Sequence, residues 1–157
     1  MVFNLSGSLA AFKLLLKPDL ARPTLVCQDI RSLDFARFKS NGIVGVVLDK
    51  DNCLTLPNVD TLIPDLSPAF SNLLSTFGPS RILIVSNSAG THDDAGLVAA
   101  HSVTRQLGVP VLVHGTKKPG CGKDVVRYFA HLDGVAQPKL LVIGDRLTTD
   151  VMLGHSV

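Results

Sequence analysis

Asp49 and Asp51 stand where an apolar run, Gly42-Ile43-Val44-Gly45-Val46-Val47-Leu48, comes to an end, with Lys50 between them. Two carboxylates at that spacing repel each other unless a cation sits between them. A hard divalent ion with oxygen ligands, most simply Mg²⁺, removes the cost. Taken alone, an Asp-x-Asp is equally a polar turn closing a strand. Three later segments bear on the choice. Arg81-Ile82-Leu83-Ile84-Val85 is a second apolar run, ending in Ser86 and Asn87. Thr116-Lys117-Lys118-Pro119-Gly120 places two lysines just before a turn. Leu140-Leu141-Val142-Ile143-Gly144 is a third apolar run, ending in Asp145 and Arg146, with Asp150 five residues beyond Asp145. The order along the chain is therefore Asp-x-Asp, Ser, Lys-Pro and Gly-Asp-x-x-x-x-Asp.

The elements that must position these residues follow from periodicity and breakers. Short, β-branched runs at 43–48, 82–85 and 140–143 read as buried strands. Residues 24–27 and 109–113 are two further strand candidates, the second interrupted by Pro110 and so placed near an edge. Helices are expected at 32–40, 65–77, 93–107 and 122–132, the first three stopped by Asn41-Gly42, Gly78-Pro79 and Gly108. Alternation of this kind implies an α/β fold with a mainly parallel sheet and helices on both faces. Such sheets hold their chemistry in the crevice at the carboxyl ends of the strands, which is where Asp49, Ser86 and Asp145 fall.

With its motifs in this order and context, the stretch from about residue 40 to 150 resembles the haloacid dehalogenase superfamily of phosphotransferases. The form Asp49-Lys50-Asp51-Asn52-Cys53-Leu54-Thr55, preceded by Leu16-Lys17-Pro18-Asp19 and Asp29-Ile30, looks like one branch of it. That branch is the mitochondrial, fungal-type phosphatidylglycerophosphate phosphatases. The departure at Cys53, where Thr or Val is usual, keeps a small residue in the same packing role. The resemblance implies a Rossmann-like core and removal of the terminal phosphate of phosphatidylglycerophosphate, on the way to cardiolipin. It also implies a place on the matrix face of the inner mitochondrial membrane.

The same resemblance implies roles. Asp49 is the nucleophile that forms an aspartyl phosphate, and Asp51 the general acid and base. Mg²⁺ takes an oxygen of Asp49, the Asp51 backbone carbonyl and Asp145, while Asp150 holds metal waters or Lys118. Ser86 hydrogen-bonds the phosphoryl group, and Asn87 either adds an amide donor or only shapes the turn. Lys118 offsets the crowded negative charge; Lys117 competes for that role, and Lys118 is preferred because it precedes proline. Arg146, with Lys123 and His92 as weaker candidates, meets the second phosphate of the head group or is a solvated surface residue. His101, His114 and His131 have no ligand spacing and read as structural or surface residues.

Spacing also bears on the substrate. Asp51 and Ser86 are separated by 34 residues, and Ser86 and Lys118 by 31. Each gap is already used by expected helix and strand, whereas a folded cap needs roughly 50 residues or more. An open site suits a phosphate presented on something large, whether a lipid in a bilayer, a protein or another bulky phosphoester. A non-catalytic membrane-peripheral scaffold that has kept the fold is the alternative of another class, disfavoured because a scaffold need not keep six site residues.

Composition sets the outer bounds. A 157-residue chain with 46% hydrophobic residues forms one domain with its own core. A net charge of +2 with only 5% aromatics argues against nucleic acid. The three cysteines, Cys27, Cys53 and Cys121, lack metal-type spacing and read as free thiols. No apolar run reaches the ~18–20 residues of a membrane span. Residues 1–22 form a separate segment in which Leu5, Leu9, Phe12 and Leu16 recur at helical spacing beside Lys13 and Lys17. This stripe either lies in a membrane interface, with its lysines near lipid phosphates, or packs on the domain or on a second copy of the chain in a homo-oligomer. The phosphatase domain is expected over 23–157, short at its carboxyl end of the further helix and strand that such folds usually have.

Overall fold

The computed structural model describes residues 16–157. Its centre is a three-stranded parallel sheet of β1 (Gly45–Leu48), β2 (Ile82–Ile84) and β3 (Leu140–Ile143), in the order β2-β1-β3. The Asp-x-Asp strand is thus the middle one. In register, Val46 pairs with Ile82 and Leu141, and Leu48 with Ile84 and Ile143. All three strands therefore end at one level, and Asp49, Ser86 and Asp145 emerge together.

Strand alternation divides the core in two. Val46, Leu48, Ile82 and Ile84 face one side and pack with α1 (Phe35–Ser40), α2 (Ser67–Phe77) and α3 (Val98–Leu107) through Phe35, Phe70, Leu73, Phe77, Val103 and Leu107. Val47 and Leu83 face the other side, against α4 (Gly122–Asp133) and the short α5 (Met152–Gly154), where they meet Val125, Phe129 and Leu153. Gly45 is required by this second layer: a Cβ there would lie 2.2 Å from the ring of Phe129. The helices end as their sequences dictate. Asp34 caps α1 by accepting from the Arg37 N–H, and Gly108 and Gly134 close α3 and α4 in the left-handed region.

Two expected strands do not form. Residues 24–27 pair with nothing in a sheet, and Leu25 and Val26 are exposed. A β-branched run is a strand only where a neighbour offers ladder partners, and among the described residues none pairs with it. The 109–113 segment does run parallel to β2, with the Ile84 N–H donating to the Pro110 carbonyl and the Leu112 N–H to that of Ile84. Pairing stops at one bridge, Ile84 with Val111. Pro110 has no N–H to extend the ladder. The helix expected at 93–107 begins later, at Val98, after a 3₁₀ turn at Ala95–Leu97.

The segments between motifs stay on the sheet. Leu54, Leu66 and Phe70 from one, and Ala89 and Val103 from the other, join the same core, and no separate cap unit forms. Leu5, Leu9 and Phe12 lie outside the described residues. Leu16, the last of that stripe, is exposed. The 3₁₀ turn Pro18–Ala21 packs against a π-helical turn at Leu147–Val151, and the Arg22 carbonyl lies 3.1 Å from His155 Nε2. Among the described residues, no helix is long and apolar enough to cross a membrane.

Candidate active site

The carboxyl ends of the strands open into a cleft of about 200 Å³. Asp49, Asp51, Asn87, Lys118 and Arg146 line it, all of them candidates in the sequence, together with Ser88 and Thr149, which were not. Asp49 continues β1 and is held by backbone: its N–H donates to the Ile143 carbonyl of β3. Its Oδ1 accepts from the Lys50 N–H at 2.7 Å and from Lys118 Nζ at 2.8 Å.

Lys118 is the electrostatic hub. Its side chain is 2% exposed, and Nζ also reaches Asp150 Oδ1 at 2.6 Å. A buried ammonium is tolerated only with such partners. Lys117 points elsewhere, paired with Asp93 at 2.5 Å. The two lysines that the sequence leaves in competition are therefore separated by the turn, whose Lys118–Pro119 peptide is cis. Asn87 Oδ1 accepts the Lys118 N–H at 2.7 Å, which ties the second motif to the third. That bond commits the amide oxygen and leaves its NH₂ as the donor for the cleft.

Asp150 is buried in the π turn, and its other oxygen accepts from the Arg146 N–H at 3.1 Å and Thr149 Oγ1 at 3.2 Å. Gly144 makes room for it, since a Cβ at Gly144 would lie 2.3 Å from Asp150 Cγ. Asp145 is more exposed, with Arg146 Nε 3.9 Å from its Oδ1. Carboxylate oxygens of Asp49, Asp145 and Asp150 all lie within 4.8 Å of one another. Three hard oxygen donors so close, with only one buried lysine among them, fit a divalent cation such as Mg²⁺.

Burial, and secondarily Asp150, pushes the Asp49 carboxyl above the usual carboxylate range, and Lys118 pulls it back only in part. Burial likewise pushes the neighbouring Cys53 thiol up to about 12, with Asp49 adding to the effect. Asp51 is turned toward Lys50, whose buried Nζ lies 2.7 Å from Asp51 Oδ1, 3.5 Å from Asp60 Oδ1 and 2.9 Å from the Val59 carbonyl. A buried lysine between two acids was not foreseen, and only the alternating charge of Asp49-Lys50-Asp51 hinted at it. Ser86 lies beneath the cleft, buried, with Oγ accepting from the Ser88 and Ala89 N–H groups at 3.1 and 3.3 Å and 3.0 Å from Ser88 Oγ. The hydroxyl at the cleft surface is that of Ser88. Its signal in the sequence was the Ser-Asn-Ser repeat. Neither Lys123 nor His92 lines the cleft.

The family described as "Mitochondrial PGP phosphatase" matches residues 5–157. The chain is 39% identical over 153 residues to "Phosphatidylglycerophosphatase GEP4, mitochondrial" of Saccharomyces cerevisiae, covering 97% of this chain and 82% of that one. It is 42% identical to "Phosphatidylglycerophosphate phosphatase 1, chloroplastic" of Chlamydomonas reinhardtii, covering 87% of this chain and 49% of that one. It is 35% identical to "Probable phosphatidylglycerophosphatase, mitochondrial" of Schizosaccharomyces pombe, covering 72% of this chain and 55% of that one. The chain thus spans about half the length of the last two relatives. No solved structure matches it. An Asp-x-Asp cleft at the strand ends and a family match along nearly the whole sequence lead to one conclusion: this chain belongs to the mitochondrial PGP phosphatase family.

Proposed function

We propose that the chain hydrolyses the terminal phosphate monoester of phosphatidylglycerophosphate, giving phosphatidylglycerol for cardiolipin synthesis, through an aspartyl phosphate in a haloacid-dehalogenase-like core. The observation that carries the chemistry is the arrangement of Asp49. It sits at the mouth of β1, and both of its hydrogen bonds fall on Oδ1, so Oδ2 is the oxygen directed to phosphorus.

In the first step Asp49 Oδ2 attacks phosphorus, and the bond from phosphorus to the glycerol oxygen breaks. Asp51 protonates the departing alkoxide. In the second step Asp51 takes a proton from water, the water oxygen bonds to phosphorus, and the acyl-phosphate bond to Asp49 breaks to release phosphate. Lys118 and the Asn87 amide stabilise the charge on the equatorial oxygens, with Ser88 in reach. Asp49 and Asp145, with the Asp51 carbonyl, would hold Mg²⁺, and Asp150 orients Lys118. When bound, the ion would neutralise charge on phosphate and carboxylates alike.

Among the described residues no cap unit covers the cleft, and Arg146 on its rim suits the second phosphate of the lipid head group. The substrate lies in a bilayer, so the chain works on a membrane surface. The fungal relatives' names support a place in the mitochondrion; the matrix face of its inner membrane is part of the proposal. Phosphate release by the full chain from phosphatidylglycerophosphate in detergent, with Mg²⁺ and with EDTA, tests the reading. The expected result is turnover that EDTA abolishes and that exceeds turnover of a phosphopeptide and a small phosphate ester. Preference for the phosphopeptide would replace the lipid by a protein substrate, and full activity in EDTA would remove the metal.

A further inference from the structure

His114 is buried, 4% exposed, between the two loops that build the phosphate end of the cleft. Its Nε2 lies 3.0 Å from the Ser86 carbonyl oxygen, and its Nδ1 lies 2.8 Å from the Thr116 carbonyl oxygen. Its backbone N–H donates to the Gly90 carbonyl. Carbonyl oxygens accept and never donate. A ring nitrogen that carries a proton donates to its carbonyl, and the tautomer decides which one does; either way the ring spans the gap between the two carbonyls.

We infer that His114 is a positioning residue of the active site, whose buried ring braces the Ser86 and Thr116 carbonyls and so fixes the loops carrying Asn87, Ser88 and Lys118. The inference rests on the phosphatase reading for what those loops do. The geometry of the clamp stands apart from it. The two carbonyls are 30 residues apart in the chain, and the ring joins them directly. The Asn87–Lys118 bond is a second tie between the same loops. The ionisable groups of these loops are His92, Asp93 and Asp94 on one, and Lys117 and Lys118 on the other. Lys117 pairs with Asp93 at 2.5 Å, and Asp94 accepts from the Gly90, Ala99 and Ala100 N–H groups, so neither acid is committed to His114. The ring therefore lies behind the phosphate-facing side of the cleft, and its partners are carbonyl oxygens. There it holds Lys118 where its ammonium meets Asp49 and Asp150.

The test is kinetic. His114→Phe keeps ring volume and removes both ring nitrogens. It should lower kcat on the order of tenfold to a hundredfold, as small misplacements of catalytic groups do, with KM changed far less. His114→Gln restores a donor and should recover part of the loss. An unchanged kcat in folded His114→Phe, or no recovery in folded His114→Gln, would overturn the positioning role. If wild-type chain fails on phosphatidylglycerophosphate but turns over a small phosphate ester that His114→Phe slows, the substrate reading fails and the clamp stands.

Discussion

Lys118 Nζ and Asp150 Oδ1 lie 2.6 Å apart, although 32 residues separate them in the chain, and the same ammonium reaches Asp49 at 2.8 Å. One buried cation thus holds two of the acids in place. Lys118→Met removes it and leaves both carboxylates without their charge partner. The expected loss is about 3–5 kcal/mol of unfolding free energy, typical of breaking a buried pair from one side, with turnover abolished. Urea unfolding of the metal-free protein checks it, and a loss under ~1 kcal/mol would mean that the pair contributes little.

Asp49→Asn should reduce turnover at least about a thousandfold, as loss of a nucleophile does, without lowering stability. Burial and Asp150 raise the Asp49 carboxyl above its unfolded range. Ionisation is therefore harder in the folded chain than in the unfolded one. That contribution favours folding fully at low pH and is lost as pH rises through the folded value. The variant escapes the loss, so its stability relative to wild type should grow with pH. Unfolding curves at a series of pH values in EDTA decide the matter; a relative stability that falls with rising pH contradicts the assignment.

Gly144→Ala should damage the site more than the fold. The new Cβ would stand 2.3 Å from Asp150 Cγ, so the π turn must shift and Lys118 loses its anchor. Overpacking of this kind costs about 1–3 kcal/mol. Gly134→Ala is the control: its φ is +67°, an added Cβ meets nothing within 4 Å, and it closes α4 outside the residues that line the cleft. It should cost about 1–2 kcal/mol for a left-handed residue with a Cβ and leave kcat intact. Equal kcat for the two variants would detach Gly144 from Asp150.

The three thiols should react in two classes. Burial pushes Cys53 up to about 12 and Cys121 up to about 11, while Cys27 is exposed. The thiolate is the nucleophile. Iodoacetamide at mildly alkaline pH should label Cys27 in the native chain and the other two only after unfolding. Mass spectrometry of the labelled peptides reads this, and rapid native labelling of Cys53 would contradict its burial beside Asp49.

Deleting residues 1–17 should weaken turnover of lipid in anionic vesicles far more than turnover of a soluble ester. The cut spares the Pro18–Ala21 turn that packs on Leu147–Val151. Each buried apolar side chain of the stripe contributes about 1.5–3 kcal/mol to membrane binding, and each lysine about 1 kcal/mol. Equal loss on both substrates would assign the stripe to protein packing.

What the sequence determined by itself was local. A β-branched apolar run that stops at a polar residue forms a buried strand wherever the core accepts it, so β1, β2 and β3 and the acids and serine that follow them were legible. Their parallel order followed from the helices between them. Tertiary structure decided whatever depends on a partner distant in the chain. The 24–27 run has strand composition yet no neighbour to pair with, and Pro110 limits 109–113 to one bridge. Lys117 and Lys118 are alike in sequence, and only the course of the turn sends one to Asp93 and the other to Asp49 and Asp150. Likewise only the folded turn places Ser86 beneath the cleft, its Oγ accepting from nearby N–H groups, and Ser88 on the cleft surface. His114 shows no pattern in sequence, since its function lies in two carbonyl oxygens that meet only when the loops fold against each other.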